Sequence, residues 1–599
     1  MSPTLQKAIG LMNAGSFLEA KPLLLAAIQR EPRNVEAALC LSDCLAHLGD
    51  LQPALHHAKH GATLAPAQPA AWRTLAMIAI GAADWAICED ACRSWQKTGG
   101  GIDATRTLAY TLQRLSKFGE VVEIAAAEHA RNPLDTDMCL KHAVALVALA
   151  RGDDACAVLR AGIDAAGPVP ELLDTLAYTC NFRVPPDPAA TIDAHAAAAH
   201  ARAKHLFASD AGTAPIPRPA RPPVSPSALD GSRPLRVGLL SPDLREHSVA
   251  FFAAAVIAHG RAAGLDIRVF STAGREDDFT AALRTHLPPA SWHSMKSASS
   301  RQTADSIAAE QLDVLFELSG LTHGNHQPAL LFFPAPVQVT WMGYPSTTGN
   351  AAIDFRLVDA ITDPPHLRGH CTETLLRMTG CFICFTPLYK RVPPPADPTA
   401  RLSHPITFGS FNALSKLNSH VLRVWGQIVS AVPGSRMIIK CRGLEEPGTR
   451  ALLHERLRTV NAPVDQFDLR GTAATQFDHL AAYQHIDLAL DTFPYNGTTT
   501  TCEALFMGVP VLTYCGPVHA ARVGGSLLDA AGLGSLVAGS EDEFVDLAIR
   551  LASDRAGLSE LSRGLRERVL ASSLCDAPGF ATRFAAACHE MVADIAKRQ

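Results

Sequence analysis

The sequence predicts an α-solenoid followed by two Rossmann-like α/β lobes that face each other across a cleft. Three observations predict it. The first third repeats: Gly15 and Gly49, Ala20 and Ala54, and Pro32 and Pro66 are each 34 residues apart. A proline-rich break follows, with Pro215, Pro217, Pro219, Pro222, Pro223 and Pro226 close together. Beyond it, strand patterns alternate with helical ones in two consecutive series of similar size. A chain of 599 residues also exceeds what one hydrophobic core supports.

The repeat is expected over residues 1–205, in roughly five units. Its phasing resembles the tetratricopeptide repeat. Small residues such as Ala20 and Ala27 let paired helices approach, and Pro32 and Pro66 stop the second helix of a pair. Trp72 enters the third unit, and Pro133 and Pro168 close later units at nearly the same phase. The bland alternative is a helical bundle with accidental spacing; three residue types in register argue against it. A stacked array of this kind presents a binding surface for peptides or for another copy of the chain.

Residues 206–234 read as an extended linker. The first lobe is expected over 235–400. Its strands are Leu235–Leu240, Asp266–Ser271, Asp313–Leu318, Pro336–Met342 and Phe355–Asp359, and a helical run starts at Val249. The second lobe is expected over 401–577. Its strands are Ile406–Phe411, Arg436–Lys440, Phe467–Arg470, Asp487–Asp491 and Val511–Tyr514. Helices are expected over Ser419–Val432, Gln476–His485 and Arg522–Ala531, and a last helix spans 578–599.

Composition excludes several classes. Hydrophobic residues make up 48% and charged residues 19%, a globular balance. The net charge of -5 gives no basis for nucleic acid as the main partner. No apolar stretch is long enough to span a membrane and no secretory pattern opens the chain, so the expected location is the cytoplasm. The 15 cysteines include one CxxC, Cys381 and Cys384, with no second pair to complete a zinc site. They read as packing thiols.

Chemistry concentrates in two segments of the second lobe. In Asp491–Pro510, DTFPYNGTTTTCEALFMGVP, a strand ends and a helix opens at Asn496, Gly497, Thr498, Thr499 and Thr500. A helix start offers unpaired N–H groups and the positive end of its dipole, here with threonine hydroxyls, which suits a diphosphate. Capping alone is the plainer reading, yet four threonines exceed what a cap needs. Glu503 lies just inside the helix, where a carboxylate suits ribose hydroxyls. In Phe408–Asn418, FGSFNALSKLN, Asn412 and Lys416 follow a strand, and a lysine there can steady a departing diphosphate. The segment PAPVQVTWMGYPSTTG reads equally as a cleft wall with Ser346, Thr347 and Thr348 toward a ligand, or as a rigid loop.

FGSFNALSKLN, DTFPYNGTTTTCEALFMGVPVLT, HAARVGGSLLDAAGL, PAPVQVTWMGYPSTTGNAAIDFRLVDAITDPP and RVGLLSPDLREHSV occur in order. Together with the repeats they resemble glycosyltransferase family 41, the protein O-linked N-acetylglucosamine transferases and Spindly-like proteins. The resemblance implies a GT-B fold, with an acceptor-side first lobe and a nucleotide-sugar-binding second lobe. It implies inverting transfer from a nucleoside diphosphate sugar to Ser or Thr hydroxyls, with no metal or other cofactor. UDP-N-acetylglucosamine is the first donor it implies; GDP-fucose and UDP-glucose are the alternatives, and a non-catalytic adaptor is the reading from another class. By the resemblance Lys416 meets the donor diphosphate, Thr498, Thr499 and Thr500 hold the phosphates, Glu503 the ribose and His479 the base. Arg522 is structural or near the donor, and His247 lies near the catalytic centre. Glu317, at the end of DVLFEL, is the other candidate base. Protein or peptide acceptors are expected on the repeats.

Overall fold

The computed structural model describes residues 2–207, 219–367, 369–395 and 397–599. Pro215 and Pro217 and much of the expected linker lie outside the described residues. The chain divides into two compact units. One holds the residues up to Ala145 with Glu446–Thr449; the other holds Leu146–Glu445 and Arg450–Gln599.

The first unit is a run of helices, from Pro3–Asn13 through Phe118–Arg131. Ala8, Ala20, Ala54 and Ala58 have no exposed surface, as close helix pairing requires. The turn within each pair keeps its period in the backbone. Left-handed residues occur at Gly15, Gly49, Ala83, Ser116 and Ala150, with φ between 55° and 82°. The turn geometry therefore persists where glycine has been replaced.

The second unit opens with helices Gly152–Ala166, Pro170–Cys180 and Pro188–Phe207. The solenoid expected over 1–205 is thus divided between the two units. The described end of the expected linker is packed rather than free. Arg221 donates to both Asp354 carboxylate oxygens at 2.6 Å, and residues 226–229 form a short helix.

Seven parallel strands build the first lobe: β1 (Leu235–Ser241), β2 (Leu265–Ser271), β3 (Trp292–Ser294), β4 (Val314–Glu317), β5 (Val337–Trp341), β6 (Phe355–Asp359) and β7 (Thr374–Met378). Their order is β3-β2-β1-β4-β5-β6-β7. Six more build the second lobe: β8 (Thr407–Ser410), β9 (Arg436–Lys440), β10 (Phe467–Arg470), β11 (Leu488–Leu490), β12 (Val511–Tyr514) and β13 (Val537–Ala538). Their order is β10-β9-β8-β11-β12-β13. Both are doubly wound sheets whose chain direction reverses beside the first strand. Each lobe therefore has a crevice at one switch point: between β1 and β4, and between β8 and β11. The last helix, Ala577–Arg598, returns to the first lobe. Its Phe584 ring lies 4.7 Å from Phe316 of β4 and 4.9 Å from Trp341 of β5, all buried. No helix among the described residues is long and apolar enough to cross a membrane.

Candidate active site

At the second lobe's switch point two loops leave adjacent strands. Leu488 and Ala489 of β11 pair with Phe408 and Gly409 of β8. A Cβ on Gly409 would come within 2.4 Å of Ile486, so only glycine lets the chains approach there. Asn418 joins the loops: it caps the helix Ser419–Ala431 through Val421 N–H at 2.9 Å and donates to Phe493 O at 2.8 Å.

Buried Asp491 organises the second loop. It accepts from Gly497 N–H at 2.6 Å, Thr513 Oγ1 at 2.7 Å and Thr492 N–H at 2.8 Å. Burial raises its pKa, against the pull of those bonds and of Lys416. A Cβ on Gly497 would meet Thr500 Oγ1 at 2.6 Å, which fixes glycine at the helix entrance. The Asn496 side chain turns inward, donating to Thr492 O at 2.8 Å and accepting from Gly524 N–H at 3.2 Å. It shapes the loop and does not face a ligand.

The helix Thr499–Phe506 opens with no side-chain cap at Thr498. Its first N–H groups, on Thr499, Thr500 and Thr501, have no acceptor among the described residues. Thr499 Oγ1 is buried without a partner. Thr500 Oγ1 donates to Asn412 Oδ1 at 3.0 Å. Lys416 Nζ donates to Asn496 O at 2.6 Å and stands 4.1 Å from the centre of the Tyr495 ring. An ammonium has three N–H donors, so two remain for a ligand. Lost hydration lowers the Lys416 pKa to about 8, with Asp491 opposing.

Deeper in the crevice, Glu503 is the hub of a polar chain. Its Oε1 accepts from Tyr389 Oη at 2.9 Å and its Oε2 lies 3.0 Å from His479 Nε2. Lys440 Nζ, at the end of β9, stands 2.7 Å from His479 Nδ1. An ammonium can only donate, so Nδ1 accepts and Nε2–H points at Glu503. Burial lowers the Lys440 pKa while Glu503 opposes. The rings of Phe411 and Tyr483, 4.4 Å apart, wall this chain.

The first lobe's switch point holds the other two expected groups. His247 caps the helix Ser248–His259, its Nδ1 accepting from Val249 N–H at 3.3 Å. Partial loss of hydration lowers its pKa, against Asp243. With Nδ1 committed as acceptor, Nε2 carries the proton and is a donor. Glu317 is buried and spent on its own loop. It accepts from Gly320 N–H at 2.9 Å, from Ser319 N–H at 3.2 Å and from Thr340 Oγ1. Its oxygens are taken up by that loop and by Thr340 of β5, which argues against a role as base. Thr347 and Thr348 both donate to Glu373, and a Cβ on Gly343 would strike Leu318 O. These two threonines belong to a rigid loop. Arg522 ties the lobes, donating to Ile361 O at 2.6 Å and to Gly516 O at 3.1 Å.

Residues 224–386 and 401–584, more than half of the chain, match the model of glycosyl transferase family 41. The chain belongs to this family. The "probable UDP-N-acetylglucosamine--peptide N-acetylglucosaminyltransferase SPINDLY" of Arabidopsis thaliana is 40% identical over 365 residues, 60% of this chain and 40% of that protein. The protein of the same name from Solanum lycopersicum is 41% identical over 351 residues, 58% of this chain and 38% of its own length. The chain thus spans about 40% of the length of the curated relatives it matches. A solved mutant of the Thermobaculum terrenum O-GlcNAc transferase superposes with a TM-score of 0.67 at 25% identity, over 99% of this chain and 98% of that one.

Within this family 41 frame, the second lobe brings Asn412, Lys416, Gly497, Thr498, Thr499 and Thr500 to one helix entrance, and His479 with Glu503 beside it. Asp491, Tyr495, Lys440 and Tyr389 escaped the sequence reading. Lys440 left a signal: a lysine closing the apolar strand RMIIK at its carboxyl end. Tyr389 left none, because its partner Glu503 lies 114 residues away.

Proposed function

We propose that the chain transfers a sugar from a nucleoside diphosphate sugar to serine or threonine hydroxyls of protein acceptors. The acceptor hydroxyl oxygen bonds to the anomeric carbon as the bond to the diphosphate breaks, with inversion and without a metal, and the hydroxyl proton passes to the departing diphosphate. One observation carries this reading: the Lys416 ammonium and the unpartnered N–H groups of Thr499, Thr500 and Thr501 meet at the switch point between β8 and β11. Negative charge grows on the diphosphate as the glycosidic bond breaks. Fixed donors in a half-buried crevice stabilise that charge with little reorganisation. Glu503 and His479 take the nucleoside side. His247 enters as a hydrogen-bond donor through Nε2–H rather than as the base. Arg522, Asn496 and Glu317 hold the walls.

UDP-N-acetylglucosamine is the first donor in this reading, because relatives from Arabidopsis thaliana and Caenorhabditis elegans carry it in their names. GDP-fucose and UDP-glucose are the competing donors. Acceptor proteins are recruited by the helical repeats. The proposed location is the cytoplasm, where thiols such as these free cysteines stay reduced. The test is product analysis by mass spectrometry: the chain is incubated with cell-extract protein and each donor in turn. One donor should add its sugar mass to Ser or Thr, and Lys416→Ala should abolish the addition. Transfer by none of them, from folded chain, would leave an adaptor.

A further inference from the structure

The Lys416 ammonium rests on the Tyr495 ring at 4.1 Å, a distance at which a cation is drawn to an aromatic face. The Tyr495 ring in turn contacts Phe182, 5.5 Å centre to centre. Phe182 is buried and belongs to neither lobe. It lies on the turn between helices Pro170–Cys180 and Pro188–Phe207.

That turn is tightly held. A Cβ on Gly152 would come within 2.4 Å of Phe182 O, so the preceding helix closes directly onto it. Asn181 Nδ2 donates to Tyr344 Oη at 2.9 Å. His195 gives Nδ1–H to Thr191 O at 2.6 Å, so its Nε2 accepts from Tyr344 Oη at 2.8 Å. Arg183 Nε and Val184 N–H both reach Asp153, at 3.1 and 3.3 Å. Tyr178 lies 5.4 Å from Phe182 and 6.4 Å from Tyr344. A row of rings thus runs from Tyr344 through Tyr178 and Phe182 to Tyr495, and ends under the ammonium.

We propose that Phe182 is a positioning residue for the donor diphosphate: it fixes the Tyr495 ring and so sets where the Lys416 ammonium stands. The proposal rests on the donor reading of Lys416. A buried phenylalanine needs only packing to explain it; the contact of its ring with Tyr495, the ring that carries this cation, gives it a further consequence. Loss of the Phe182 ring frees Tyr495 to move, and the ammonium loses its seat and gains water.

Calorimetry on the full chain tests this, with UDP and GDP as probes from about pH 6 to about pH 10. Affinity of the wild-type chain should fall as Lys416 loses its proton. Phe182→Leu, with an unchanged circular dichroism spectrum, should bind about tenfold more weakly, and the midpoint of the fall should move upward. Phe182→Tyr should restore both. In a Tyr495→Leu background, Phe182→Leu should have no further effect. Where the leucine variant is unstable, Phe182→Met, which fills similar space, is read the same way. Wild-type affinity and midpoint in a folded Phe182→Leu or Phe182→Met chain overturn the proposal alone. No binding by the wild-type chain, or undiminished binding by Lys416→Ala, overturns the donor reading and the proposal with it.

Discussion

Lys416 holds two opposed demands in one side chain. It must be dry enough for its charge to act strongly on a diphosphate, and charged enough to act at all. Burial brings its pKa down to about 8, while Asp491 behind the loop limits the fall. The sign follows directly: below about pH 8 the ammonium is present, and above it the cation is lost. The pH profile of kcat/KM should therefore decline with an apparent pKa near 8, since this quantity reports the free enzyme. In Lys416→Arg the decline should vanish, because a guanidinium keeps its proton, although the level drops with the changed geometry. A decline unmoved in Lys416→Arg would assign it to another group. Lys416, the threonine run and Glu503 stood out in the sequence because their residue types exceed what structure alone needs. Asn496 and Glu317 stood out as well, yet their side chains bond inward. A polar residue at a strand end suits a ligand and a loop equally, and only the inward bonds to Gly524 and Gly320 decide between them.

Among the elements, the strands that flank the two crevices were legible, while of the four sheet edges only β10 was. β4, β8 and β11 are buried at every position, as strands covered on both faces are. β3 has three residues and β13 two, too few to show a period, and β7 carries an exposed and two half-buried positions. The repeats show the reverse case, in which geometry outlasts its sequence signal. The turn that uses Gly15 and Gly49 keeps its left-handed backbone at Ala83, with φ of 55°, where a Cβ is strained. Ala83→Gly should then stabilise the chain by about 1 kcal/mol in denaturant melts, whereas Gly49→Ala should destabilise it by a similar amount. Equal and small effects at both positions would contradict this account of the turn.

At the scale of the molecule, one unit contains the whole candidate site: both switch points, the interlobe strut of Arg522 and the last three helices of the repeat run. Two sheets of the same winding supply two crevices, one holding Lys416 and the helix entrance at Thr499 and one holding His247, which caps a helix. The terminal helix closes the fold by filling the first lobe's core with Phe580 and Phe584. The two-lobe plan was legible because strand patterns alternate with helical ones in two consecutive series; the division of the helical run was not, since its period crosses the boundary unchanged. The most direct test is calorimetric titration of the full chain with UDP-N-acetylglucosamine, UDP-glucose and GDP-fucose, beside Lys416→Ala. One donor should bind, and the alanine variant should bind it about 10- to 100-fold more weakly, the worth of a charge-assisted contact. Folded wild-type chain that binds no donor, or Lys416→Ala that binds as tightly as wild type, would contradict the account.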